Sequence, residues 1–348
     1  MKSTLQPTSP QDLNALSEFL AHAFAAHPEA PFLNPALMAW KYWDRRDDWS
    51  GPRSYVLRRE GAIVAHAGIW PMTFGEGEDR IRGVHMIDWA SARESPGAGL
   101  ALVQKFAAMF DFIFSIGGSE MTCKVLPAFG FVEHTRVWKG VRPLRPLRQV
   151  LTHQSRNWKL APRLLRNWLW ARQPSKSQPQ DWTAIEVTPR KLAGEPGILP
   201  PQRVDVRFSP RPPAFFEYLL RCPGAPFRLY RIDGEGEIMG HFVISFLRGQ
   251  ARVAGIWLRE DGDEGWVEAY RLAQKTAESW PGAYEVVVVG SQGLSGAAAA
   301  QAGFRMLPGP TVYLLDRTKR LRLPEDFQFQ LCESDAALLD AGAASYWS

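Results

Sequence analysis

The residues with the clearest chemical potential run from Asp88 to Ala101, in the order Asp-Trp-Ala-Ser-Ala-Arg-Glu-Ser-Pro-Gly-Ala-Gly-Leu-Ala. A predicted strand ends here in a turn carrying Gly97 and Gly99, and the turn opens a long amphipathic helix. The first N–H groups of a helix have no internal acceptors, and its dipole presents positive charge there, so the site suits an anion. Glycine removes the Cβ that would hold a phosphate off the backbone. A pyrophosphate is the natural ligand. The turn is not a P-loop, because no Gly-Lys-Ser/Thr follows. It is a poor dinucleotide fingerprint, because the strands before it alternate through tight turns as antiparallel hairpins and not as a parallel βαβ unit.

Those residues must be positioned by regular elements, and the pattern supplies them. Ser9-Pro10-Gln11-Asp12 resembles a capping box with proline at the first helical position. Leu13, Leu16, Phe19, Leu20 and Phe24 then share one helical face. Asn34-Pro35 opens a second helix carrying Leu37, Trp40, Lys41 and Tyr42. Strands are expected over Ser54–Arg59, Ala62–Met72 and Ile81–Ser91, broken by Glu60-Gly61 and the Gly75–Asp79 turn. Leu100, Val103, Phe106, Ala107 and Phe110 restore the helical period. A short apolar strand, Phe112–Ile116, leads through Gly117-Gly118 to a short helix and Gly130-Phe131.

The second half repeats this order without repeating the sequence. Strands are expected at Val204–Phe208, Phe227–Ile232, Ile238–Leu247 and Ala251–Leu258. A helix follows from Trp266 to Trp280, then a strand at Glu285–Gly290, a short alanine-rich helix and Gly303-Phe304. The order argues for an α/β (α+β) sandwich in each half, with mixed, largely antiparallel sheets. The expected division is 1–140, a basic helical connection 141–183, 184–320, and a tail 321–348.

On these residues the sequence resembles the GNAT superfamily of acyl-CoA N-acyltransferases, in a tandem arrangement. The family signature, Gln/Arg-x-x-Gly-x-Gly/Ala between the fourth strand and third helix, reads here Glu94-Ser-Pro-Gly97-Ala-Gly99. Glutamate replaces Gln/Arg, and Arg93 stands one residue early. The short helix from Ser119 to Phe131 matches a second family feature, although Leu126 occupies the place where the family often has a tyrosine acid. In the second half the signature's place holds Arg259-Glu-Asp-Gly262-Asp-Glu-Gly265, whose acidic residues would repel a pyrophosphate, and the tyrosine's place holds Ala299.

The resemblance implies transfer of an acyl group, acetyl in the first instance, from acetyl-CoA or another acyl-CoA to a primary amine. It places the cofactor on Ala90, Ser91, Ala92, Ser95, Gly97, Ala98, Gly99, Leu100, Ala101 and Ser119. A base must deprotonate the acceptor ammonium, and a backbone N–H near the end of the fourth strand can stabilise the oxyanion. Asp88 is a candidate base because its strand lines the acyl site; a hydrogen-bonded structural role is the plainer alternative. His66 and His85 lie on neighbouring strands and could face the same cleft, or be satisfied core histidines. Glu120 could act as a base, or simply favour the dipole of its short helix. Trp40, Tyr42, Trp43 and Trp49 read mainly as core, and would also suit a sugar or hydrophobic acceptor, which keeps a small-molecule amino sugar among the candidates. The alternative function is a non-catalytic double-GNAT scaffold, or a Fem-like aminoacyl-transferase that takes aminoacyl-tRNA.

Composition sets the outer bounds. Hydrophobic residues make up 45% of the 348 and charged residues 22%, as in ordinary globular proteins. Three scattered cysteines show no metal-ligand spacing and imply a reducing compartment. No apolar leader core and no membrane-length apolar run is visible, so the expected location is cytoplasmic. The net charge of +5 is local: Val141–Gln180 holds nine Lys/Arg and no Asp or Glu, leaving 32 basic against 36 acidic residues elsewhere. General nucleic-acid binding is therefore not expected. Within 156–172, basic residues interleave with Trp158, Leu164, Leu165, Trp168, Leu169 and Trp170, and Pro162–Ala171 fits a short amphipathic helix. It either packs between the two halves or touches the inner face of an anionic membrane peripherally.

Overall fold

Local signals set the first elements. The Asp12 carboxylate accepts the Ser9 N–H at 2.9 Å, a cap that leads through a 3-10 turn into α1 (Leu13–Ala23), which buries Leu16 and Leu20 one turn apart. Asn34 caps α2 (Pro35–Tyr42) by accepting the N–H groups of Ala36 and Leu37 at 2.9 and 3.2 Å. A short strand, β1 (Thr4–Pro7), precedes them. Next come β2 (Ser54–Arg59), β3 (Ala62–Phe74), β4 (Ile81–Ser91), α3 (Ala98–Met109), β5 (Phe112–Ile116), α4 (Glu120–Val125) and β6 (Val132–Pro143). Helices α5 (Pro146–Thr152) and α6 (Leu160–Ala171) connect the halves. The second half contains β7 (Thr183–Glu186), α7 (Pro189–Ala193), α8 (Pro213–Leu220), β8 (Phe227–Gly234), β9 (Glu237–Leu247), β10 (Gln250–Leu258), α9 (Asp263–Glu278), β11 (Glu285–Ser291), α10 (Leu294–Gln301) and β12 (Arg305–Asp316). The computed structural model describes residues 4–153, 158, 160–172, 181–195, 197–200, 207–234, 236–260, 262–291, 293–321, 323–339 and 346–348.

All twelve strands form one sheet, in the order β1-β2-β3-β4-β5-β12-β6-β11-β10-β9-β8-β7. Every neighbouring pair is antiparallel except β4–β5 and β10–β11. The order is close to a mirror image about its centre, where the two halves exchange their last strands: β12 pairs with β5, and β6 pairs with β11. The exchanged strands also pair with each other from Val132 to Val141. Residue 140 therefore lies inside a strand shared by both halves.

Helix α3 packs Leu102, Val103 and Phe106 against Ala65, Ala67, Ile69, Val84 and Met86 on one face of the first half. The opposite face belongs to a core that runs across both halves. It includes Leu37, Trp40, Trp70 and Ile87 from the first, and Phe216, Tyr218, Trp266 and Tyr270 from the second. Trp40 and Tyr218 stack 4.3 Å apart. They also exchange bonds: Trp40 Nε1–H donates to Tyr218 O at 3.2 Å, and Tyr218 O–H donates to Trp40 O at 2.9 Å. Such a pair locks α2 against α8 through both apolar area and satisfied polar tips.

The strand expected at Val204–Phe208 lies outside the described residues except for Arg207 and Phe208, which form a bend. The segment after β12 is no loose tail: Phe327, Phe329, Leu331, Cys332 and Glu333 are buried. The helix expected at Pro162–Ala171 is α6, one half-turn longer. Arg156, Lys159 and the stretch 173–180 lie outside the described residues.

Candidate active site

The parallel pair β4–β5 is short. It runs from Gly83/Phe112 to His85/Phe114 and stops. Beyond that point β4 keeps only β3 as a partner, and β5 keeps only β12. The two strands part, and the polar edge of β4 from Met86 onwards faces a gap. A bulge at Asp88 helps to turn that edge: the β3–β4 register shifts there, and Asp88 has a left-handed φ of 49°. Aspartate tolerates this region better than most residues.

At the outer end of the gap lies a cavity of about 240 Å³. Trp89, Ala90 and Ser91 of β4, Gly97, Gly99 and Leu100 at the start of α3, and Met121, Thr122 and Val125 of α4 line it. No side chain caps α3, and its first intrahelical bond is from Ala101 N–H to Gly97 O at 2.9 Å. The N–H groups of Gly99 and Leu100 stand ahead of that bond at the positive end of the helix. Gly97 has a left-handed φ of 83°, and a Cβ there would meet no atom within 4 Å. At Gly99 a Cβ would come within 3.2 Å of Trp89 Nε1 and 3.4 Å of Ser91. Ala98 is buried beneath the turn, Ala92 and Ser95 shape the bend ahead of it, and Ala101 begins the regular helix. Ser119 caps α4, accepting the Thr122 N–H at 3.1 Å.

Asp88, directly before the cavity-lining Trp89 on β4, belongs to a buried charge cluster. Lys41 Nζ donates to Asp88 Oδ2 at 2.6 Å and to Asp335 Oδ2 at 2.9 Å. Tyr42 O–H also donates to Asp88 Oδ2, at 2.6 Å. The Lys41 side chain is 1% exposed, whereas those of Asp88 and Asp335 are 10% and 14% exposed, so what contact with solvent the cluster keeps is through its carboxylates. Burial opposes the Lys41 charge, but the two carboxylates outweigh it and raise its pKa. Burial pushes Asp88 up, yet the Lys41 ammonium and the bonds from Lys41 and Tyr42 hold it below the usual carboxylate value. Asp335 ends above the usual value: burial raises it, Lys41 pulls it back, and the neighbouring charge of Asp88 raises it again. Two carboxylates on one ammonium leave the cluster with a net negative charge.

The histidines lie behind this cluster. His66 is fully buried; its Nδ1 lies 2.9 Å from Asp88 O and its Nε2 lies 3.0 Å from Ser54 Oγ. Because a carbonyl only accepts, Nδ1 carries the proton and Ser54 donates to Nε2. Thr8 donates to Ser54 in turn, at 2.6 Å. Burial brings the His66 pKa down to about 4, so the ring is a neutral strut that holds the bulge. His85 sits at the last β4–β5 pair, stacked on Phe114 at 5.0 Å, with Nε2 accepting the Ile116 N–H at 3.2 Å. Burial pushes it down to about 3. It closes the apex where the strands part. Glu120 is 85% exposed and pairs with Lys124 on the surface of α4. Leu126, in the place of the family tyrosine, is fully buried in the core under α3.

The structure therefore groups Asp88 with Lys41, Tyr42 and Asp335, and puts His66 one bond behind. Sequence reasoning placed Lys41 on its helix without a role, read Tyr42 as core or acceptor lining, and missed Asp335. Among the described residues no group of three or more His, Cys, Asp or Glu is arranged to hold a metal ion.

The architecture is that of known acyltransferases. A GCN5-related N-acetyltransferase from Anabaena variabilis superposes with a TM-score of 0.57 at 13% identity, covering 90% of this chain and 73% of that one. A tandem GNAT protein from the clavulanic acid biosynthesis pathway gives 0.54 at 12% identity, over 90% of this chain and 98% of that one. A GCN5-related N-acetyltransferase from Kribbella flavida gives 0.51 at 12%, over 90% and 70%. The chain has the tandem GNAT fold. No family model matches its sequence, and neither does any curated protein.

Proposed function

We propose that the protein is an N-acyltransferase that moves an acyl group, acetyl in the first instance, from acyl-CoA to a primary amine of a small molecule. One observation carries the reading: strand β4 lines the cavity at an uncapped helix N-terminus with Trp89–Ser91 and, one residue earlier, bears Asp88 of a net-negative carboxylate pair. The first suits the donor's pyrophosphate, and the second suits a cationic acceptor. In this reading the CoA phosphates rest on Ser95–Ala101 and the thioester lies along Trp89–Ser91. The acceptor ammonium meets Asp335 and Asp88. Asp335 takes its proton, since a carboxyl with a raised pKa is the better base of the two. The neutral nitrogen attacks the thioester carbonyl. A C–N bond forms, the C–S bond breaks, the nitrogen releases its second proton to water as the amide forms, and CoA leaves as a thiolate that takes a proton from water in the absence of a tyrosine acid at Leu126.

The experiment is amine-dependent release of free CoA thiol, measured with acetyl-CoA and longer acyl-CoAs against a panel of primary amines that includes amino sugars. Stabilisation by an acyl-CoA in a thermal shift, followed by turnover with at least one amine, is the expected result. An absence of both with every acyl-CoA would sink the reading.

We also infer a peripheral contact of α6 with an anionic membrane surface. Trp170 and Asn167 anchor the helix inwards, while Leu165, Trp168 and Leu169 face outwards, with Trp158, Leu147 and Leu151 beside them. Among the described residues, none of Arg148, Arg163, Arg166 and Arg172 forms an ion pair with a carboxylate. No described helix is long and apolar enough to cross a membrane.

A further inference from the structure

The second half has the same strand geometry as the first. Strands β10 and β11 run parallel from Gln250/Glu285 to Val253/Val288 and then part. Beyond that point β10 keeps only β9, and β11 keeps only β6. Its gap, however, is filled by the chain itself. Phe329 N–H donates to Ser291 Oγ on β11 at 2.8 Å. On the facing edge, Gln330 uses both ends of its carboxamide on one residue of β10. Its Oε1 accepts the Ile256 N–H at 2.8 Å, and its Nε2 donates to Ile256 O at 2.9 Å. Cys332 Sγ reaches Ala254 O at 2.9 Å. A free strand edge offers alternating N–H and C=O groups, and these are what an amide-bearing pantetheine arm would use. Here a side-chain amide has taken them.

The fit is close and specific. A Cβ on Gly255 would lie 2.4 Å from Arg211 Nη1, 2.9 Å from Cys332 Sγ and 3.0 Å from Gln330 Oε1, so only glycine lets the segment in. Glu333 closes the lock: it accepts from Arg211 Nη2, Ser209 Oγ and Gln330 N–H, each at 2.5 Å. All four of these residues are at least 95% buried. The next residue, Ser334, caps a 3-10 turn by accepting the Ala336 N–H at 3.1 Å. That turn presents Asp335 to Lys41. Arg252 of β10 then fixes the far side, donating to Ala336 O and Leu339 O at 2.8 Å.

We propose that the second half is a clamp: its cofactor-type gap is held by Phe329–Cys332, and Gln330 is the positioning residue that sets Asp335 beside Asp88. The inference rests on the acyl-transfer reading for its catalytic consequence, and on the gap itself for its structural one. One acyl-CoA then binds per chain.

The test uses the full chain with Gln330→Leu, which is apolar and close in volume. Cys332 is 1% exposed inside the gap, so its maleimide labelling, measured in a Cys123→Ser/Cys222→Ser background, reports whether the segment is seated. Wild type should be protected with and without saturating acetyl-CoA, and Gln330→Leu should label about tenfold faster or more, as local opening becomes easier. Acyl-transfer kcat should fall about 100-fold in Gln330→Leu, the scale of a misplaced catalytic group, while the Kd for acetyl-CoA, at one site per chain, stays within about twofold. In an Asp335→Asn background the further loss from Gln330→Leu should vanish, because the two act through one group. Rapid Cys332 labelling in wild type, acceleration by acetyl-CoA, two binding sites per chain, or an undiminished loss in the Asp335→Asn background would each overturn the clamp. Failure of wild type to bind or turn over any acyl-CoA would remove the acyl-transfer reading instead, and the labelling contrast would still decide whether the gap is held.

Discussion

Asp88 and Asp335 share the ammonium of Lys41, yet they differ in basicity: burial and the charge of Asp88 raise Asp335, whereas the Lys41 ammonium and the bonds from Lys41 and Tyr42 hold Asp88 down. Asp88 is held low and Asp335 high. Divergent pKa values in a carboxyl pair separate a charge-fixing partner from a proton acceptor. Asp335→Asn should therefore lower kcat by about 100- to 10,000-fold, the usual worth of a general base, and remove the acidic limb of the pH–kcat/KM profile. Asp88→Asn should move that limb to lower pH, because the negative charge that raises Asp335 is gone while Lys41 remains. An acidic limb that survives unchanged in Asp335→Asn would assign the base elsewhere. His66 and His85 are poor bases in this site because desolvation has fixed both as neutral rings with their acceptor nitrogens engaged.

Elements, not single side chains, decide where the donor can bind. Helix α3 begins at an uncapped glycine turn, whereas α9 begins with Asp263 and Glu264 in its first turn. Gly99→Val would press against Trp89 and Ser91 and crowd the phosphate approach. We expect acyl-CoA affinity to fall about tenfold or more, equivalent to about 1.4 kcal/mol. Gly262→Val is the control: a Cβ there meets nothing within 4 Å, and binding should hold. Calorimetric titration of both variants checks this, and loss in Gly262→Val alone would move the site to the second half. Helix α6 is the other element with an outward role. Flotation with anionic vesicles should retain the protein at low salt, weaken at high salt as surface charge is screened, and fail in Trp168→Ser/Leu169→Ser. Salt-independent flotation with neutral vesicles, or none at all, would return α6 to packing between the halves.

The whole molecule folds around three buried histidines, His66, His85 and His241. Burial lowers them to about 4, 3 and 3, against about 6.5 when the chain is unfolded. A folded pKa below the unfolded one gives stability that is complete above pH 6.5 and is lost as the pH falls, because the unfolded chain takes up protons that the folded one refuses. Between pH 6 and 4 the three together should cost about 4 kcal/mol for each pH unit, at about 1.4 per site. Asp335 and Glu285, both raised, work in the opposite sense and offset part of it. His241→Asn should flatten the slope by about 1.4 kcal/mol per pH unit, measured as urea unfolding at pH 6, 5 and 4.5. An unchanged slope would show that His241 titrates alike in both states.

Sequence periodicity carried most of the elements by itself. Strands β2, β4 and β5 begin and end where alternation and glycine turns place them, and the Gly97-Ala-Gly99 turn was legible as a helix N-terminus because its chemistry is local. What periodicity cannot carry is partnership across distance. The exchange of β6 and β12 leaves each strand's own pattern unchanged, so only the sheet reveals it. Thr4–Pro7 and Thr183–Glu186 are too short and exposed to alternate visibly, and they form strands because a neighbouring edge completes their hydrogen bonds. Lys41 and Asp335 are 294 residues apart in sequence. Each looks like an ordinary surface charge in its own window, and each acquires its protonation state only when the packing of Trp40 on Tyr218 and of Gln330 on Ile256 buries Lys41, takes most of Asp335 out of water and sets them together.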